Sequence, residues 1–175
     1  MTAPDSKRKT EVWQRGAVAG FDPYVLPVAH SLLQVKEDLD DLAARLREDH
    51  LWERPGGAAS IGFHIRHIGG ATDRLLTYAR GEALSESQVA AARAETAGGE
   101  PLREVVAAAQ AALDRALDQV RTTARDTLLT ERKVGRAGLP STTLGLLAHV
   151  AEHATRHMGQ AITTAKISGA LDEAR

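Results

Sequence analysis

Between Pro27 and Glu48 the apolar residues Val28, Leu32, Val35, Leu39, Leu42 and Leu46 recur at alternating steps of four and three. A helix brings that rhythm onto one face, and a stripe of this width packs against other helices. Lys36, Glu37, Asp40 and Asp41 fall on the opposite side, where water can satisfy them. Asp22-Pro23 has the form of an N-cap followed by proline. Pro27 removes a helical hydrogen bond if it lies deeper than the first turn. The sequence therefore predicts a short turn at 22–26 and the helix proper from Pro27 to Glu48.

Three more segments follow the same rule. Ser60 precedes a stripe of Ile61, Ile65, Ile68, Leu75 and Ala79, predicting a helix over 61–80 that Gly81 ends. Gly69-Gly70 inside it costs about 1 kcal/mol per glycine relative to alanine. Close approach of a neighbour and a helix break are the two readings. Leu102, Val106, Ala109, Leu113, Ala116 and Val120 predict a helix over 101–127. The last runs from 141 to 168, with Ser141 or Thr142 as cap and Gly169 as stop. Aromatic residues make up only 3% of the chain, which suits close-packed helices better than a sheet. The expectation is an all-α chain, a four-helix bundle over residues 22–170, preceded by a solvated N-terminal tail at 1–21.

The connections carry their own signals. Residues 49–59 contain Pro-Gly-Gly, a loop, and Trp52 within them is a candidate cap for one end of the core. Residues 82–100 form a long connection, with Ser85–Ala94 as a candidate short exposed helix. Connections this long often border sites or interfaces. Residues 128–140 read as a loop with a short extended segment.

Several function classes are excluded. A net charge of −1 with interspersed signs offers no stripe for nucleic acid or an anionic membrane. No signal-peptide pattern opens the sequence, and no apolar run approaches the ~18 residues of a membrane span; the expectation is a soluble, cytoplasmic protein. The chain has no cysteine, so disulfides, a thiol nucleophile and thiolate metal ligands are all ruled out.

The chemistry lies in HVAEHATRHMGQ, residues 149–160, where His149, His153 and His157 recur at steps of four. In a helix they share a face. The seam through Leu146, Val150, His153, His157 and Ala161 puts two imidazoles where leucines are expected. Burying a polar ring without a partner costs roughly 2–7 kcal/mol. A metal ion can satisfy both rings, since imidazoles four apart can share one ion; buried carboxylates or water are the alternative. On the second predicted helix His64 and His67 both qualify as a third ligand. Three histidines leave coordination positions open, which is the catalytic arrangement. No Glu-x-x-His pair is duplicated on two helices, as a di-iron site would require. His30 reads as structural or exposed, and His50 as solvated.

SIGFHIRHIGGATDRLL (60–76) and LLAHVAEHATRHMGQAI (146–162) resemble the DinB/YfiT-like superfamily, the DinB family, and the likeness runs over about residues 22–168. The family pattern has one histidine before a hydrophobic and two small residues on the second helix. An H-x-x-x-H-x-G-Q motif on the last helix completes it. Carried over, the resemblance implies His67, His153 and His157 as ligands of a divalent metal ion, most often nickel or zinc. Gly159-Gln160 complete the downstream motif. It also implies a four-helix bundle, a homodimer and, in some relatives, use of a low-molecular-weight thiol such as mycothiol or bacillithiol for S-transfer or isomerisation.

A thiol that coordinates a metal is deprotonated by it, and the thiolate is the nucleophile. In a chain without cysteine that thiol must arrive from solution. The expected partners are therefore a small-molecule thiol and an electrophilic substrate, the latter held at the bundle mouth near the 82–100 and 128–140 loops. His149, His64 and Gln160 are candidates for moving a proton or orienting a group beside the ion, with plain packing as the alternative for each. Two other readings stand: a hydrolase whose nucleophile is metal-bound water, and a bundle that binds metal, or pairs its histidines, without catalysis.

Overall fold

The computed structural model describes residues 10–172; residues 1–9 of the expected tail lie outside the described residues. Among the described residues five α-helices form: α1 (Leu26–Ala43), α2 (Ile61–Ala79), α3 (Glu86–Ala94), α4 (Leu102–Thr122) and α5 (Thr143–Ile167). A two-stranded antiparallel hairpin, β1 (Glu131–Val134) and β2 (Leu139–Thr142), precedes α5. The helix α2 packs on α4 and α5, and α1 packs on the same two. Leu32, Leu39, Ile61, Ile65, Ile68, Leu113, Leu147 and Met158 fill the space between them, each under 2% exposed. The fold is mostly helical: four long helices carry the core, and α3 is a fifth, at the place where a short exposed helix is expected.

Local chemistry sets the ends. Ser60 Oγ accepts from the Phe63 N–H at 3.1 Å, and Thr142 Oγ1 from the Gly145 N–H at 3.0 Å. Ser85 and Gln88 close a reciprocal capping box at the start of α3. Asp22 Oδ1 accepts from the Tyr24 N–H at 2.9 Å, making the turn that leads into α1, and Pro27 falls in the first turn of the helix, where its missing N–H costs nothing.

Three boundaries differ from the periodicity. The helix α1 stops at Ala43 because the following residues pair with the far end of the chain: the Arg47 N–H bonds Ala170 O and the Asp172 N–H bonds Arg45 O, each at 2.9 Å. Leu46 stays buried in this extended stretch. The helix α4 stops at Thr122; Thr123 turns extended at ψ 117°, and its hydroxyl bonds back to Gln119 O at 2.7 Å. The helix α5 begins at Thr143 because residues 139–142 are engaged in β2. Nor are residues 10–15 a solvated tail. Val12 is buried, its N–H bonds Gln34 Oε1 at 2.9 Å, and Arg15 pairs with Glu37 at 2.6 Å. Trp52 closes one end of the core, with its indole N–H on Glu100 O at 3.0 Å. No helix among the described residues is long and apolar enough to cross a membrane.

Gly69 lies in the α2–α4 contact, where an added Cβ would sit 3.2 Å from Ala109 Cα. Close approach is therefore the role of this glycine, and α2 runs through it unbroken. Gly69→Val should push α4 away and destabilise the protein by about 1–3 kcal/mol, as overpacking does. Chemical denaturation checks this; an unchanged midpoint contradicts the close contact.

Candidate metal centre

His64 meets His157 and His67 meets His153, the crossed order of two antiparallel helices, α2 and α5. His64 Nδ1 is 3.0 Å from His157 Nδ1, and His67 Nε2 is 3.0 Å from His153 Nε2. One ring nitrogen from each of His67, His153 and His157 lies within 4.8 Å of the others. Phe63 stacks on the His67 ring at 5.3 Å and turns its edge to His64 and His157.

The seam of α5 is rotated slightly from the one read off the sequence. Ala154 and Met158 hold the central positions at 1% exposure, while His153 and His157 lie half-buried at the rim. Small residues at 151, 154, 161 and 165 bring α5 close to the core, and the longer Met158 fills what remains. The rim position turns both imidazoles toward α2.

Burial pushes the His64, His153 and His157 rings below the ordinary histidine range, with mutual repulsion adding to it; His157 falls to about 4. These three rings are thus uncharged at neutral pH, with lone pairs available. His153 Nδ1 is buried and has no hydrogen-bond partner. Clustered neutral imidazoles without thiolate or carboxylate in the group suit borderline divalent ions such as nickel or zinc better than calcium or magnesium. The residues present fit such an ion.

Glu95, at the end of α3, was not visible as a site residue in the sequence. It is buried, with Oε2 2.6 Å from His67 Nδ1 and Oε1 2.5 Å from the Arg74 guanidinium. Burial raises its carboxyl, but the hydrogen bonds from His67 and Arg74 outweigh burial and hold it below the usual carboxylate range. The only advance signals were the length of the 82–100 connection and the bare Gly69-Gly70 opposite it.

The other candidates fall outside the three-histidine group. His149 is half-exposed, its Nδ1 3.2 Å from Glu152 Oε2 and its ring 5.5 Å from that of His153. Gln160 is exposed and lines an open groove of about 570 Å³ with His64, Arg156 and Gly159. His30 Nε2 is 2.9 Å from Gly16 O, and His50 is not simply solvated, its Nδ1 being 2.7 Å from Glu53. The 82–100 segment does border the cluster, through Glu95. The 128–140 segment does not: Arg132 Nε bonds Ala79 O at 2.7 Å, about 18 Å along α2 from His67 at 1.5 Å per residue.

Residues 31–161 match the family model described as the DinB superfamily. The fold is similar to the crystal structure of a DinB-like protein from Bacillus cereus ATCC 10987. That match has a TM-score of 0.65 and 14% identity, covering 85% of this chain and 95% of the other. At this identity the likeness concerns the fold alone. No curated protein matches the chain.

The lowered histidines make the metal-free protein sensitive to acid. Unfolded, each ring titrates near 6.5; folded, it protonates only lower, at about 4 for His157. Between those values the unfolded chain binds more protons, so the stabilisation is complete above about 6.5 and is lost as pH falls through the window. Thermal denaturation of metal-free protein should give a lower midpoint at pH 5 than at pH 7, and His157→Gln should narrow that gap. An equal or higher midpoint at pH 5 contradicts the neutral-ring description.

Proposed function

The chain belongs to the DinB superfamily, and on that premise we propose that it binds one divalent ion through His67, His153 and His157 to activate an external low-molecular-weight thiol for S-transfer. The observation that supports this most is three ring nitrogens within 4.8 Å in a chain with no cysteine. When bound, an ion of the nickel or zinc class supplies Lewis-acid stabilisation of the incoming thiolate.

The chain's own residues do the rest. Half-burial keeps His153 and His157 neutral, and Phe63 shields the His67 ring. The groove beside His64, Arg156 and Gln160 gives an electrophile room, with the Gln160 amide as a hydrogen-bonding group. His149, half-exposed next to His153, takes the thiol proton and hands it to solvent. The sulfur then forms a bond to the electrophilic carbon, whose leaving group departs with its electron pair. The reading includes a cytoplasmic setting and a homodimer. It takes residues 22–170 as the domain and α1, α2, α4 and α5 as the four helices of a bundle.

Elemental analysis of untagged protein should give one nickel or zinc per chain. His153→Ala should weaken metal binding by more than the roughly 10–100-fold lost with an outer-shell partner. Conjugation of monochlorobimane by the loaded protein with each of several cellular thiols should be metal-dependent and absent in the His153→Ala variant. Ester or amide turnover without any thiol would transfer the assignment to a hydrolase. Full metal retention by His153→Ala, with loss in His64→Ala, would replace His153 in the ligand set.

A further inference from the structure

Gly70 and Glu95 meet in the fold although 25 positions separate them in the sequence. A Cβ on Gly70 would collide with Glu95 Oε1 and lie 2.9 Å from the Arg74 guanidinium. The bare backbone there admits a buried carboxylate against the side of α2. Glu95 reaches it from the C-terminal end of α3, a helix whose nine residues include none that is buried. Polar contacts hold α3 in place. At one end the Gln88 amide bonds Asp73 Oδ2 at 2.6 Å and Thr77 Oγ1 at 2.8 Å. At the other, Arg66 donates to the carbonyls of Ala94 and Glu95 at 3.1 and 3.0 Å, and to that of Ala97. A helix that buries no apolar residue of its own thus delivers one carboxylate to one ring nitrogen.

We infer that Glu95 is a positioning residue for the metal centre: its carboxylate holds His67 in the tautomer protonated at Nδ1, and Gly70 is the gap that lets it do so. The inference rests on the three-histidine reading above. A carboxylate only accepts, so at 2.6 Å the hydrogen belongs to His67 Nδ1, and a neutral imidazole carries just one. In the uncharged form that a metal ligand must take, His67 Nε2, 3.0 Å from His153 Nε2, is left as a lone pair aimed at the group of three. The opposite tautomer would place an N–H there and block the position. Glu95 is not itself a fourth ligand, because its oxygen faces Nδ1, the nitrogen that does not point into the cluster. Arg74 fixes the second carboxylate oxygen and so keeps the first on His67.

Two measurements test this. Long-range ¹H–¹⁵N correlation spectra of the metal-free parent should show His67 protonated at Nδ1, and Glu95→Ala should abolish that preference. Calorimetric titration with zinc should show affinity lower by about 10–100-fold in both Glu95→Ala and Gly70→Ala, with Glu95→Gln, which keeps an acceptor, between them and the parent. Gly70→Ala is the sharper variant, since it displaces the carboxylate without removing a charge; unchanged helical circular dichroism shows that it folds. Nε2-protonated His67 in the parent overturns the inference. So does zinc affinity in both substituted proteins indistinguishable from that of the parent. A parent that binds no zinc refutes the metal reading instead, and the tautomer spectrum still decides the role of Glu95.

Discussion

The antiparallel contact between α2 and α5 sets four imidazoles against one another, and the rest of the site follows from it. His64 and His67 come from the first two turns of α2, His153 and His157 from the middle of α5, and each α2 ring finds its partner at 3.0 Å. Charge on both rings of such a pair would be strongly repelled. Burial keeps His64, His153 and His157 neutral by lowering their pKa. The same desolvation that makes protonation unfavourable leaves the nitrogen lone pairs exposed to a shared cation. A half-buried pair of like nitrogens, with His153 Nδ1 unpartnered, is a weak arrangement for stability alone; it would become favourable if an ion drew the rings together. Binding at a thousand times the dissociation constant would add about 4 kcal/mol to the folded state.

The small residues around the cluster serve this contact. Alanines along α5 let that helix lie close, Gly69 lets α4 approach α2, and Gly70 leaves space for Glu95. The nearly adjacent faces of one helix are thus used differently: one packs the core, one presents imidazoles, one receives a carboxylate. The helix α3 is held by side-chain amides and guanidinium groups, so its attachment is independent of the apolar core. One negative charge, on Glu95, stands behind His67 and balances part of the charge a divalent ion would bring.

Much of this was legible in the sequence, for a physical reason. Helical periodicity is local, so the seam Val28, Leu32, Val35, Leu39, Leu42 and Leu46 is buried throughout as its spacing implies, and the Ser60 and Thr142 caps act as expected. The spacing of His153 and His157 placed both on one face. The α1 boundary was not legible, because the pairing of Arg45 and Arg47 with residues 170–172 joins opposite ends of the chain. Glu95 was hidden likewise: nothing near it in sequence aims it at His67, and only the fold brings α3 to α2. The choice between His64 and His67, left open by spacing, gains a geometric distinction, since His67 joins the three-nitrogen group while His64 stands outside it and meets His157, at 3.0 Å. The reaction itself is the least legible layer, because three imidazoles serve thiol and water chemistry alike.

The most direct test is X-ray absorption at the metal edge, on protein loaded with one equivalent of zinc or nickel, before and after addition of a low-molecular-weight thiol. The expected spectrum before thiol shows imidazole scattering from three nitrogens at about 2.0–2.1 Å, and after thiol a sulfur neighbour at about 2.3 Å. A shell of oxygen without imidazole, or a spectrum that saturating thiol leaves unchanged, contradicts a three-histidine centre that activates an external thiol.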